Sequence, residues 1–212
     1  MSDHECACGS GSDRQVVNAN ATAERWLADD SVLDAELPAD VRTALGRLVC
    51  EDEIETLSGW VAEVRRRTGG GAVGIEDLCH TGEETGHRGE LDGETYHFRC
   101  FYDAVILSAL AETPVSIRIE SPDGIVIEAR ADRPADLTVT PESAVFSFGV
   151  AESVEPPADG EPSHADIYAA VCPYVRAFPG RDAYERWAET VPAATVALPL
   201  EGATDIAAAL VE

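Results

Sequence analysis

Apolar positions fall into two periods along the chain, and the change from one to the other outlines the fold. After Pro38, which suits a first helical turn, Val41, Ala44, Leu45 and Leu48 recur at three- and four-residue intervals and predict a helix over residues 38–49. Ile54, Leu57, Val61 and Val64 repeat the pattern through Arg67, where Gly69-Gly70-Gly71 stops it. An earlier helix is predicted over residues 22–28, with Thr22 as its cap and Arg25 where a capping box would place Glu. From Gly89 the period becomes two, through Tyr96 and Phe98, before a helix-like run from Cys100 to Leu110. Strands are predicted at 115–119, 125–129, 137–139 and 144–150, separated by turn signals such as Pro122-Asp123-Gly124. A proline-rich acidic loop at 155–162 leads to an apolar stretch at 167–178, a helix at 181–190 and a strand at 195–198.

Strands and helices in this order predict an α+β protein. Its expected organisation is a flexible tail (residues 1–20), an N-terminal helical, winged-helix-like module (21–83), and a mixed β-sheet domain with flanking helices (84–212) that carries the chemistry. No stretch approaches the roughly 18 to 20 consecutive apolar residues of a membrane span. The acidic start Met1-Ser2-Asp3-His4-Glu5 lacks the apolar core of a signal peptide, so a cytoplasmic location is expected.

Charge narrows the partners. The 212 residues carry 40 acidic and 15 basic side chains, a net charge of −25, and every base is arginine. An acidic, lysine-free surface reads as adaptation to very high salt, where carboxylates stay hydrated and their repulsion is screened. Nucleic acid is an unsuitable partner for such a surface, and Arg65-Arg66-Arg67 is too small a basic cluster to reverse that.

The candidate chemistry lies in the six cysteines, which a reducing compartment would leave as thiols. Cys100 and Asp103 stand three apart at the start of a predicted helix and so share a face. A helix N-terminus favours the thiolate, so a lowered Cys100 pKa is expected. Cys172 lies in the apolar segment Tyr168-Ala-Ala-Val171-Cys172-Pro173-Tyr174. Cys6-Ala-Cys8, preceded by His4, forms a clamp for soft metals that could collect or pass on an ion, or is an incidental part of the tail. Cys79-His80 and His87 flank a glycine-rich loop and could supply zinc ligands, although their spacing fits no standard zinc pattern. Cys50, which closes an amphipathic helix, reads as core.

The stretch from Glu90 through Tyr96, Cys100 and Asp103 to Leu110 resembles the active-site strand and helix of the organomercurial lyases, also called alkylmercury lyases. The distal part, where Cys172 precedes Phe178 and the Ala183-Tyr-Glu-Arg-Trp187 helix, resembles the same family. The likeness runs from about Glu84 to Trp187. It departs from the family at Pro173, where some members have a further cysteine, and at Ser121, where many have a structural one. The resemblance implies that Cys100 and Cys172 bind mercury as thiolates and that Asp103, beside the metal, carries the proton that cleaves the carbon–mercury bond. It implies a hydrocarbon and Hg(II) as products, no required cofactor, and an external thiol or a partner protein such as a mercuric reductase to take the metal away. Soft thiolates suit a soft cation. The alternatives are a non-catalytic thiolate protein that binds or senses a metal on the same fold, for which Asp103 would be superfluous, and a DNA-binding regulator, which the charge disfavours most.

Overall fold

The computed structural model describes residues 25–27, 31–50, 54–67, 73–133, 136–154 and 162–212. Helix α1 (Ala39–Val49) starts behind Pro38 and turns Val41, Leu45 and Leu48 inward; helix α2 (Leu57–Arg67) buries Leu57, Trp60 and Val61. Of the three guanidinium groups that end α2, those of Arg65 and Arg67 reach into the protein, while Arg66 is half-exposed. Arg66 and Arg67 both pair with Glu63, Arg67 also donates to the Val49 carbonyl at 2.7 Å, and Arg65 donates to the Ala209 carbonyl at 3.1 Å. The Arg65 and Arg67 bonds tie α2 to its neighbours, and the Glu63 carboxylate meets the charges of Arg66 and Arg67.

Five strands, β1 (Arg88–Leu91), β2 (Glu94–His97), β3 (Val115–Glu120), β4 (Val126–Arg133) and β5 (Asp136–Thr140), form an antiparallel sheet in the order β2-β1-β3-β4-β5. Alternation decides its faces. Val115, Ile117 and Ile119 of β3 are buried with Ile127, Ala129 and Ala131 of β4, while Arg118 and Glu128 pair across the opposite face. Asp92 and Gly93, both at positive φ (52° and 84°), make the tight turn between β1 and β2. Helix α3 (Phe101–Leu110) packs on the buried face against β1 and β3. Gly89 permits this approach, since a Cβ there would stand 2.7 Å from Leu107 Cδ2.

A second antiparallel sheet has the order β7-β6-β8, formed by β6 (Val145–Ala151), β7 (Arg176–Phe178) and β8 (Ala193–Pro199). Its middle strand is buried on both faces and accordingly reads as apolar sequence broken only by Ser147. Helices α4 (His164–Val171) and α5 (Arg181–Ala188) flank this sheet, and α6 (Ala203–Val211) packs between α3 and α2. Phe101 and Tyr102 of α3 meet Phe146 of β6, and Trp60 of α2 meets Phe148, so the two sheets and the N-terminal helices share one core.

The predicted α+β class holds, with differences in detail. Residues 25–27 are extended and not helical. Trp26 forms a parallel bridge with Ala197, and Leu27 N–H donates to the Ala197 carbonyl at 2.9 Å. The exposed edge of β8 captures this segment because pairing satisfies a row of otherwise open backbone groups. The rest of the predicted 22–28 helix lies outside the described residues, as do Cys6 and Cys8. Helix α6 has no counterpart in the predicted elements.

Candidate functional site

Cys100 is the N-cap of α3. Its extended backbone (φ −121°, ψ 142°) lets Sγ accept the Tyr102 N–H at 3.4 Å. Asp103 follows in the first turn, 6% exposed against 8% for Cys100. The helix is held at this depth by Tyr102, whose hydroxyl donates to the Ala203 carbonyl at 3.0 Å.

Cys172 ends α4, its N–H bonded to the Tyr168 carbonyl, and begins a 3-10 turn through Tyr174. That turn is pressed onto β6. Ser147 Oγ donates to the Tyr174 carbonyl at 2.7 Å, and a Cβ on Gly149 would lie 3.1 Å from Tyr174 Cβ. The half-buried Cys172 is thereby brought to the end of α3, close enough that Cys100, Asp103 and Cys172 act on one another electrostatically.

The expected low pKa of Cys100 is not what the structure shows. Burial pushes its thiol well up, the negative charge of Asp103 adds to the rise, and the Tyr102 N–H offsets only part of it. Cys172 is pushed up to about 12 by burial first and by Asp103 second. One N–H from the helix end is outweighed by removal of the sulfur from water. Both cysteines therefore rest as neutral thiols. Burial also raises the carboxyl of Asp103, with the N–H of Cys79 and the charge of His80 acting against it.

Three groups join this site that were not assigned to it from sequence. Cys79 donates its backbone N–H to Asp103 Oδ1 at 3.2 Å, and its side chain is hydrogen-bonded to Tyr168. Arg176, whose Nε donates to the Pro173 carbonyl at 3.0 Å, supplies the positive charge that favours the thiolates of Cys100 and Cys172. Tyr168 precedes Cys172 by four residues, one helical turn, and that spacing was a readable signal. The position of Arg176 had no comparable signal.

The zinc grouping of Cys79, His80 and His87 does not assemble. His80 Nε2 lies 2.6 Å from the Ile75 carbonyl, whereas Nδ1 of His87 is buried without a hydrogen-bond partner among the described residues. Among the described residues no group of three or more His, Cys, Asp and Glu side chains is arranged to hold a metal ion. Cys50 is half-buried in the left-handed C-cap of α1 (φ 57°), and Ser121 braces the turn after β3 by accepting the Ile125 N–H at 3.0 Å. A groove of about 420 Å³ lies on the outer face of the five-stranded sheet, among Arg88, Arg118, Glu128 and Arg130, on the side away from α3 and its thiol.

A profile of the family described as alkylmercury lyase (MerB) matches residues 80–212, well over half of the chain. The chain belongs to the alkylmercury lyase family. Among solved structures it is similar to the mercury-bound form of MerB2, with 22% sequence identity and a TM-score of 0.45 over 60% of this chain and 58% of that one. The chain thus spans under two thirds of the length of MerB2. No curated protein matches it. The alkylmercury lyase segment includes Cys100, Asp103, Tyr168, Cys172 and Arg176; it begins one residue after Cys79 and leaves out α1 and α2.

Proposed function

We propose that the protein is an organomercurial lyase that protonates the carbon of a carbon–mercury bond, with Cys100 and Cys172 as mercury ligands and Asp103 as the proton carrier. The observation that carries this reading is the meeting of two thiols and one buried carboxyl inside the segment matched by the alkylmercury lyase family.

The substrate enters as R–Hg bound to a small thiolate. A soft thiol of the site attacks mercury, a Hg–S bond forms, and the thiol proton passes to Asp103. The raised affinity of Asp103 for a proton suits it to this task. The second thiol adds to mercury, and its proton leaves with the displaced small thiolate as free thiol. Two sulfur donors push electron density toward carbon, which takes the proton from Asp103 as the Hg–C bond breaks. The products are R–H and Hg(II) bridging the two sulfurs, and Asp103 returns to its starting state. Arg176 lessens the cost of the two buried thiolates.

The reaction calls on no resident cofactor in this reading, and Hg(II) leaves to an external thiol or to a thiol protein such as a mercuric reductase. Residues 84–212 carry the chemistry, and the enzyme works in the cytoplasm of a salt-adapted cell. No helix among the described residues is long and apolar enough to cross a membrane.

Incubation with methylmercury or phenylmercury and excess thiol in molar salt should release methane or benzene, measured by gas chromatography. Cys100→Ala should release none. Undiminished release by that variant would remove Cys100 from the reaction, and tight Hg(II) binding without any hydrocarbon would make the protein a metal binder.

A further inference from the structure

Cys79 is a thiol that the proposed reaction does not use, yet it is fixed to both halves of the site. Its backbone N–H is held by Asp103 at 3.2 Å, and its carbonyl accepts the Arg99 N–H at 3.2 Å, next to Cys100. Its side chain is hydrogen-bonded to Tyr168, one helical turn before Cys172. The side chains of Tyr168 and Cys172 therefore share a helix face, and Cys79 lies against that face. Depth separates the thiols: Cys100 is 8% exposed, whereas Cys79 and Cys172 are both half-buried. Among the described residues none of the three is in a disulfide.

Depth creates a difficulty for product release. Hg(II) changes thiolate partners by association, so an incoming sulfur must reach the metal before an old one departs. A metal bound between Cys100 and Cys172 is anchored at its deepest point by the sulfur that a solvent thiol reaches least easily.

We propose that Cys79 is the exit thiol, accepting Hg(II) from Cys100 so that the metal comes to bridge Cys79 and Cys172, from which an external thiol removes it. This rests on the reading that Cys100 and Cys172 hold the product. In the exchange the Hg–S bond to Cys100 breaks and one to Cys79 forms. The proton of the Cys79 thiol passes to the Cys100 sulfur, with the Asp103 carboxyl as the group between them. No electrons are transferred, and Hg remains Hg(II). Cys100 is restored as a thiol while the metal is still leaving. The family match starts at residue 80, so the exit thiol lies just outside the matched segment.

The test uses the full chain with Cys6→Ser and Cys8→Ser, so that tail thiols do not compete, and HgCl₂ as the probe, so that no carbon–mercury cleavage is needed. In that background Cys100→Ser should retain one Hg(II) per chain against competing cysteine. Adding Cys79→Ser should weaken retention at least about 100-fold, the size expected when a two-point hold becomes one-point. With Cys100 present, Cys79→Ser should slow transfer of bound Hg(II) to glutathione at least about tenfold. Serine keeps the backbone bond to Asp103, and Cys79→Ala, with its fold checked by circular dichroism, repeats both measurements without a hydroxyl. Equal retention with and without Cys79, or equal transfer rates, overturns the proposal. Failure of the lyase reading would show separately, as no hydrocarbon from methylmercury with the unsubstituted chain.

Discussion

The backbone N–H of Cys79, in the loop before β1, donates to Oδ1 of Asp103 in α3 at 3.2 Å, although the two residues are 24 positions apart. The bond orients a carboxyl buried among the thiols of the site, and it opposes the rise in pKa that burial causes. Asp103 is thus held at the N-terminal turn of α3, on the same helix face as the Cys100 cap. A carboxyl placed to shuttle one proton needs this kind of orientation more than it needs strength.

Asp103→Asn keeps the size of the side chain and an oxygen for the Cys79 N–H, and removes the ability to take and return a proton. Single-turnover hydrocarbon release from phenylmercury should fall about 10²- to 10⁴-fold, the usual contribution of a general acid–base group. Hg(II) affinity, which depends on the sulfurs, should change by only several-fold. A loss in release of less than tenfold would assign the proton transfer to another group.

His87 gives stability an acid limb. Its pKa is lowered from 6.5 to about 4 by burial, with the charge of Arg176 adding to the effect. The folded protein therefore resists protonation that the unfolded chain accepts. The contribution is complete above about pH 6.5 and is lost as pH falls through about 4. Allowing for partial exposure, the loss is about 2 kcal/mol. Urea unfolding in molar salt at pH 7 and pH 4.5 should show this difference, and His87→Leu should reduce it. An unchanged pH difference in that variant would place the acid sensitivity in the carboxylates.

What could be read from the sequence was local. Three- and four-residue periodicity located α1 and α2, a helix-like apolar run located α3, and alternation with turn signals located β3, β4 and β5. Cys100-x-x-Asp103 and Cys172 stood out through the order of features around them, which resembles the alkylmercury lyases, since a cysteine in an apolar segment is by itself commonly core. Interactions across long sequence separations were not legible. The edge of β8 overrides the helical look of residues 25–27, and α6 escapes because contact with both α3 and α2 leaves its alanine-rich sequence without a clear polar face. Cys79, Tyr168 and Arg176 converge only after two sheets and several helices are packed. Even the sign of the Cys100 shift depended on burial depth, which spacing does not reveal.

Gly149 tests how closely the site depends on the second sheet. A Cβ there would stand 2.7 Å from Thr195 Cγ2, 3.0 Å from the Ala194 carbonyl and 3.1 Å from Tyr174 Cβ. Two of these neighbours belong to β8, and the third is in the turn that begins at Cys172. Gly149→Ala should cost about 1–3 kcal/mol by overpacking. The melting temperature should then fall by roughly 2–12 °C for a chain of this size. Displacement of the Cys172 turn should also lower hydrocarbon release in the folded variant. A variant that melts lower but turns over normally would separate the packing of β6 from the placement of Cys172.

The charge excess predicts how stability depends on salt. Ion pairs such as Arg25–Asp40, Arg42–Glu36 and Arg181–Glu185 weaken as salt rises, but exposed pairs contribute at most about 1 kcal/mol each. Against them stands a net charge of −25 with no lysine, whose mutual repulsion is a property of the folded, compact state. Screening shortens from about 10 Å at 0.1 M to about 3 Å at 1 M, so the repulsion should dominate the response. The melting temperature followed by circular dichroism should rise by at least about 10 °C between 0.1 and 1 M KCl, and dialysis to low salt should unfold the chain. Further stabilisation above 1 M that is stronger in sulfate than in chloride would report on apolar burial, because screening is by then nearly complete. A melting temperature that stayed flat or fell between 0.1 and 1 M would make the acidity a feature of composition without a role in folding.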